Sequence, residues 1–298
     1  MMMLVLTLGT MISFSSCSSD DYGPAIEIPK YAENAISLSI NSSASPYSSI
    51  EFTESGTYVI IPKNGAKYSS MQTMNSIFVA PATVTTRAEA SSGIIYGSYT
   101  VDGDVYILQG FGTITVIKSD NGHNASLVIQ RTGEENPLSI SAQVRDQYSE
   151  SPATQKLCSS WIIEKFVMKI ENEGVEIKEF SGTYRQVFEQ IRDFCKQYGA
   201  PDDVIEEMNA AIKASPEEII FTSSGTYIVF YANNTLAVST WKWKDEAQGI
   251  AYYGWDYGKF YEDDLFVINY EKNRLVLSED NSVSGIRMTA KTIMRQKQ

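Results

Sequence analysis

The chain has 298 residues, 43% of them hydrophobic, and a formal net charge of −12. A chain of this length fits about two domains of ordinary size. The acidic balance argues against nucleic acid or anionic lipid as a binding partner, because both require basic patches. A single histidine, His123, and three cysteines exclude the usual histidine-rich and cysteine-rich zinc sites. We therefore expect no metal site and no cofactor.

The N-terminus has the features of an export signal. Residues 1–16 carry no charge and are too short for a stable membrane span, so they are predicted to be a cleaved signal peptide. The sequence Phe14-Ser15-Ser16-Cys17 resembles the lipobox of bacterial lipoproteins, and the acidic residues that follow resemble the surface-export signal of Bacteroidetes lipoproteins. This resemblance implies that Cys17 is acylated and anchors the protein in the outer membrane at the cell surface. An ordinary cleaved signal peptide is the alternative.

The segment 17–34 is rich in Ser, Asp, Gly and Pro, which is typical of a flexible acidic tether. A β-rich module is predicted over 35–148, because short runs of alternating apolar and polar residues are separated by turn signals such as Asp102-Gly103. The predicted strands are 35–40, 49–62, 76–80, 93–101, 104–108, 112–117, 125–131 and 138–144. Such a series without a helix indicates an antiparallel sandwich or barrel.

Residues 149–156 are predicted to be a linker, and a second β-rich module is predicted over 157–298. Helical periodicity occurs only in this module, near 183–198 and 201–213. Thr183 is placed to cap the start of the first helix and Gly199 its end. Two strands before this helical pair and six after it would give about eight, the number that closes a small barrel.

One segment occurs twice. Phe52, Thr53, Ser55, Gly56, Thr57 and Tyr58 recur 169 residues later as Phe221, Thr222, Ser224, Gly225, Thr226 and Tyr227. A repeat of this length indicates two related modules. The Ser-Gly pair inside each copy predicts a bulge or tight bend in a strand, with the glycine in a conformation that other residues resist.

The second module resembles the lipocalin-like domains of Bacteroidetes lipoproteins. The resemblance rests on Cys158 to Glu164, the helical pair, the repeated segment, Trp241-Lys242-Trp243 and Tyr253-Gly254-Trp255-Asp256. It covers the chain from Leu157 to the C-terminus and extends only weakly to the first module. It implies a lipocalin-like β-barrel or strongly curved sheet with an inserted helical pair, and it implies no particular ligand.

Aromatic side chains are the candidate ligand-binding residues. Side chains alternate along a strand, so each of two neighbouring strands would present its rings on one face. The candidate residues are Trp241 and Trp243 on one predicted strand, and Tyr253, Trp255 and Tyr257 on the next. In a barrel mouth, such rings could stack on a sugar or enclose an apolar ligand. The alternative, which the frequency of buried aromatics favours, is that they pack the barrel interior.

No catalytic motif is present. The acidic runs are typical of solvated surfaces, and no Gly-x-Ser-x-Gly motif occurs. The leading hypothesis is therefore a non-enzymatic surface lipoprotein that binds a ligand or a protein partner. One rival is a glycan-binding accessory protein that uses the tryptophans. Another is an assembly component that docks through a sheet edge or the helical face. A hydrolase that uses Asp256 or Asp264 is the least expected. Whether Cys158 and Cys195 form a disulfide stays open.

Overall fold

The computed structural model describes residues 24–63, 93–148, 150–172, 174–254, 260, 262, 264–283 and 286–298, with side chains from 281 to 283 and at 286 excepted. Within these ranges the chain is mainly β and forms two antiparallel barrels, which confirms the predicted fold class. The signal peptide, Cys17 and the predicted strand at 76–80 lie outside the described residues.

The first barrel consists of eight strands that follow one another in chain order. It closes where β1 pairs with β8, at Leu38 opposite Val144. Phe52 fills the interior together with Tyr106, whose ring centroid lies 4.1 Å away, and Tyr99, at 5.1 Å. The strands are β1 (Ile36–Ser39), β2 (Tyr47–Phe52), β3 (Thr57–Pro62), β4 (Ile95–Asp102), β5 (Val105–Leu108), β6 (Gly112–Lys118), β7 (Asn124–Arg131) and β8 (Leu138–Val144).

The second barrel is closed by the pairing of β9 with β17, and β11 to β16 complete it in chain order. Only one of its strands precedes the helical pair, because β10 lies outside the closed ring and pairs with the C-terminal half of β9, residues 166–172. The second barrel thus has the predicted eight strands, but one strand precedes the helical pair and seven follow it, where two and six were predicted. The strands are β9 (Ser160–Asn172), β10 (Val175–Gly182), β11 (Pro216–Phe221), β12 (Thr226–Tyr231), β13 (Leu236–Asp245), β14 (Ile250–Gly254), β15 (Leu265–Glu271), β16 (Arg274–Val283) and β17 (Ile286–Gln296).

Among the described residues, three α-helices accompany the barrels: α1 (Pro152–Leu157), α2 (Tyr184–Gln197) and α3 (Asp202–Lys213). The last two confirm the predicted helical pair. Thr183 caps α2 in a reciprocal capping box, and Gly199 follows the helix with a φ of 75°. The apolar face of α2 packs on Phe166 and Phe180. The short α1 lies within the segment predicted as a linker, where Ser151 caps it.

The repeated segment is a hairpin in both barrels, whereas the sequence pattern predicted a single strand with a break. In the first copy, the Gly56 N–H donates to the Thr53 carbonyl at 3.1 Å, and in the second the Gly225 N–H donates to the Thr222 carbonyl at 3.0 Å. Both glycines have φ near 80°. A turn that ends in a left-handed residue matches the twist of the flanking strands, so glycine is favoured at this position.

A buried aromatic side chain fastens each of these turns to its own barrel. The Tyr99 hydroxyl donates to the Thr53 carbonyl at 2.8 Å, and Trp241 Nε1 donates to the Thr222 carbonyl at 3.0 Å. The backbone N–H of each ring residue also donates to the carbonyl of the turn glycine, at 2.9 Å in both barrels. The two barrels therefore share a structural device beyond the sequence repeat.

A tyrosine from the segment before each barrel lies on the turn glycine. The Tyr31 N–H donates to the Glu54 carbonyl at 3.2 Å, and the Tyr148 N–H donates to the equivalent Ser223 carbonyl at 3.0 Å. A Cβ added at Gly225 would lie 1.7 Å from Tyr148 Cε2. The close approach of the ring thus adds a second requirement for glycine.

The described part of the predicted tether, residues 24–34, lies against the protein. Glu27 exchanges two hydrogen bonds with the Gln296 side chain of β17, at 2.7 and 2.6 Å. Ile26 packs on the core of the second barrel, and Tyr31 packs on the first. This segment therefore contacts both barrels.

Replacement of Gly225 by Ala is expected to destabilise the protein by more than the cost of a left-handed alanine, about 1–2 kcal/mol, because the new methyl group meets the Tyr148 ring. Urea unfolding would measure the loss. Gly103→Ala is the matched control, since Gly103 also has a positive φ but has open space around it. Equal losses for the two variants would contradict the assigned role of the ring, as would a Gly225→Ala loss that is unchanged in a Tyr148→Ala background.

Candidate functional site at the junction of the barrels

Two of the predicted ligand-binding residues are buried in the core of the second barrel. Trp241 and Tyr253 lie opposite each other on β13 and β14. The Tyr253 ring stacks on Phe266, with centroids 4.6 Å apart and an interplanar angle of 14°. These rings therefore pack the barrel, as the alternative interpretation predicted.

Trp243 is half-buried at the end of the same core. Its ring lies edge-on to Trp241 at 5.4 Å, and its Nε1 donates to Thr154 Oγ1 of α1 at 2.9 Å. This tryptophan thus joins α1 to the barrel. Trp255 and Tyr257 lie outside the described residues, as does Asp256.

The remaining candidates lie apart from one another. Asp264 is buried beside β14, where its carbonyl accepts from the Tyr253 N–H at 3.1 Å. His123 is exposed, with its Nδ1 3.6 Å from Asp146 Oδ1. Cys158 is buried and Cys195 half-buried, and both are free thiols. Within the described ranges, no three His, Cys, Asp or Glu residues are grouped to hold a metal ion.

The two repeated hairpins contact each other, and this junction has an apolar core and a polar end. The core of this contact is apolar and comprises Val59 from the first barrel with Ile220, Ile228, Leu236 and Val238 from the second. Val59 and Ile228 are equivalent positions of the repeat. Tyr96 extends the contact, since its ring lies 5.5 Å from Phe230 and its hydroxyl donates to the Asn234 carbonyl at 3.2 Å.

Two glutamates form the polar end of this junction. Glu51 Oε1 accepts from Ser224 Oγ at 2.6 Å, and Glu51 Oε2 accepts from Thr226 Oγ1 at 3.0 Å. Glu54 Oε1 accepts from the Ser223 N–H at 2.9 Å. In all three hydrogen bonds, a carboxylate of the first barrel accepts from the repeated hairpin of the second barrel. Both glutamates are buried.

The surroundings of the Glu54 carboxyl disfavour its ionised form. Burial raises its pKa to about 7, although hydrogen bonds with Ser223 oppose the shift and the Glu51 carboxylate adds to it. Its second oxygen, Oε2, has no hydrogen-bond partner among the described residues. An ionised carboxylate is costly in such a position, because burial removes hydration that the hydrogen bonds with Ser223 and with the Glu54 backbone do not fully replace.

A small cleft of about 90 Å³ adjoins these groups. It is lined by Ser37, Glu51, Glu54, Ser223 and Ser224, and by Lys118 and Arg145. The Ser37 hydroxyl is also buried without a hydrogen-bond partner among the described residues. The cleft is far below the roughly 300 Å³ that an organic ligand needs, and it has room for a few water molecules.

Sequence reasoning missed both glutamates, although the repeat contained a signal for them. The two copies differ at these positions, since Glu51 corresponds to Ile220 and Glu54 to Ser223. These two differences therefore lie at the junction, where the glutamates of the first copy meet Ser223, Ser224 and Thr226 of the second.

The fold and site define a protein of two closed barrels joined by a buried, partly polar contact between equivalent hairpins. No protein-family model matches this chain, and neither does any curated protein. Within the described ranges, none of the helices combines the length and apolar character that a membrane crossing requires.

Thr226→Val is expected to destabilise the junction by about 1–3 kcal/mol, because the change leaves a buried oxygen of Glu51 without its donor. Urea unfolding at neutral pH would measure this loss. The matched control is Thr57→Val, since Thr57 is the equivalent residue in the first hairpin and its hydroxyl does not bond to Glu51. A Thr226→Val loss no larger than the control's would contradict the assigned role of Glu51.

Proposed function

We propose that this chain is a lipid-anchored cell-surface protein that binds a protein partner without catalysis, and that the free edge of β10 is the docking edge. The observation that carries the proposal is the strand order. In the described part of the chain, every other strand is hydrogen-bonded on both sides, while β10 pairs only with β9. Its outer edge presents backbone N–H and C=O groups that an added strand could pair with.

The side chains of this edge support the same proposal. Val175 and Ile177 are 69% and 52% exposed, and they are among the most exposed large apolar residues of the described chain. On the paired side, Lys169 of β9 lies 2.9 Å from Glu179 and 3.4 Å from Glu176. These ion pairs help to hold β10 on the sheet. The occupant that fits is an extended segment of another protein, with apolar side chains to cover Val175 and Ile177.

The interior of the second barrel is filled by its own side chains, which supports binding at the outer surface of the protein. The described interior of the second barrel is filled by rings such as Trp241, Tyr253 and Phe266. A ligand would have to displace these rings, and each buries a large apolar area. The glycan-binding alternative relied on the same tryptophans, and no contact in the described chain favours it.

Cys17→Ala is expected to release the protein from membranes, because the acyl chains that supply the anchoring energy would be lost. Fractionation of cells that express the full-length chain would measure this, and protease treatment of intact cells would test surface exposure. Cys195→Ala, which makes the same substitution at a free cysteine outside the lipobox, is the control. Unchanged membrane association of the Cys17→Ala protein would contradict the anchor.

Val175→Lys combined with Ile177→Lys is expected to abolish partner capture by the protein on intact cells, because two cations would replace the apolar surface that a partner covers. Chemical cross-linking at the cell surface, followed by mass spectrometry, would measure capture. Ile117→Lys is the matched control, since Ile117 is 54% exposed on the closed first barrel. A partner that binds the β10 variant as strongly as it binds the control would exclude this edge.

A further inference from the structure

The Glu54 carboxyl occupies an unusual position between the barrels. It belongs to the turn of the first hairpin, is 4% exposed, and is bonded through one oxygen to the backbone of the second hairpin. Its neighbour Glu51 is also an acceptor-only group when ionised. Neither glutamate forms an ion pair with a described residue. Two adjacent buried carboxylates therefore share one hydrogen-bonded junction, and the cations Lys118 and Arg145 line the same cleft without pairing with either of them.

A proton is the compensating charge that this geometry can accept. Both oxygens of Glu51 already accept hydroxyl donors, which leaves Glu54 Oε2 and Ser37 Oγ as the unbonded polar atoms at the cleft. Two such atoms are too few for the six to eight oxygens that Ca²⁺ takes. A single proton on Glu54 removes one of the two negative charges and needs no further ligands.

We propose that Glu54 is a proton-operated latch between the two barrels: the polar end of their junction is closed while the Glu54 carboxyl is protonated and loosens when the proton leaves. The apolar part of the junction, around Val59 and Ile228, contains no carboxyl group and stays packed. Loss of the proton thus opens one end of the contact and leaves the barrels joined.

The direction of the effect follows from linkage. A buried carboxyl whose pKa rises from 4.5 to about 7 binds its proton more tightly when the junction is closed than when it is open. Closure is therefore favoured at low pH and is progressively lost as the pH rises towards and through 7. Each unit of pKa difference is a factor of ten, so the closing equilibrium changes by at most roughly 300-fold.

Several other titratable or charged groups face Glu54. Burial raises the pKa of the Tyr99 hydroxyl and of the Cys158 thiol, with smaller contributions from Glu54, so both stay neutral. Burial also raises the pKa of Tyr148, against the effect of Arg145. Glu51 adds negative charge, Tyr31 contributes its backbone N–H, and Lys118 and Arg145 line the cleft as cations.

Hydrogen–deuterium exchange of the folded, signal-free protein would test the latch. The amides at 222–226 report the junction because the Ser223 N–H is bonded to Glu54. After correction for the intrinsic pH dependence of exchange, we expect their protection to fall between about pH 5 and about pH 8.5, by at most roughly 75-fold out of the full range of roughly 300-fold. Glu54→Gln keeps an acceptor for Ser223 and removes the charge, so its protection should be the same at both pH values.

Two controls make the outcome decisive. Glu134→Gln changes an exposed glutamate that pairs with Arg131 and should keep the wild-type pH dependence. Amides of the first barrel core, such as those of Ile60 and Leu127, should not change with pH. A wild type whose 222–226 amides show no pH dependence overturns the latch, and so does a Glu54→Gln protein that retains the wild-type dependence. If Glu54→Gln does not fold, the wild-type series decides, since a midpoint below about pH 5 also overturns it.

Discussion

The structure depends on the fastening of one tight turn in each barrel to an aromatic side chain of the barrel interior. The turns at Gly56 and Gly225 present a backbone carbonyl inward, and Tyr99 or Trp241 donates to that carbonyl. A buried donor and a buried acceptor thus satisfy each other, which matters more than the modest net strength of one hydrogen bond. The same ring also fills the barrel, so turn geometry and core packing cannot vary independently.

The contact between the barrels is built on these turns and inherits their geometry. Because the hairpins are equivalent, the strands behind them bring Val59 and Ile228 together, and the turns bring Glu51 and Glu54 to Ser223, Ser224 and Thr226. The two carboxylates occur in the first copy alone, because Ile220 and Ser223 stand at the equivalent positions of the second, whereas Ser224 and Thr226 have identical counterparts in Ser55 and Thr57. The glutamates are therefore the part of the polar end that is specific to one copy, and they leave two carboxylates close together in a buried place.

Much of the fold could be predicted from the sequence, for physical reasons that particular residues illustrate. Alternation of apolar and polar residues predicted most strands, and the apolar stripe and the cap at Thr183 predicted α2. Local pattern did not distinguish a broken strand from a hairpin at Gly56 and Gly225, because both place a left-handed glycine inside an apolar run. Pattern also did not show that β10 lies outside the ring, since strand order is decided by pairing between residues that are distant in sequence.

The site was harder to predict than the fold. Trp241 and Tyr253 were candidates for binding and are core residues, because an alternating strand gives the same pattern whether its ring-bearing face meets a ligand or a barrel interior. Glu51 and Glu54 were not among the candidate residues, since burial of a charged group depends on a partner surface that no local pattern encodes.

The pair of hydrogen bonds between Glu27 and Gln296 brings the first described segment of the chain to the last strand of the second barrel. Residues 24–30 thus precede the first barrel in sequence and act as a strap across the last strand of the second. Pulling on the N-terminal end would load β17 before it loads the barrel that comes first in the chain. The hydrogen bonds between Glu27 and Gln296, rather than the paired strands of a barrel, are among the first contacts that such a load meets.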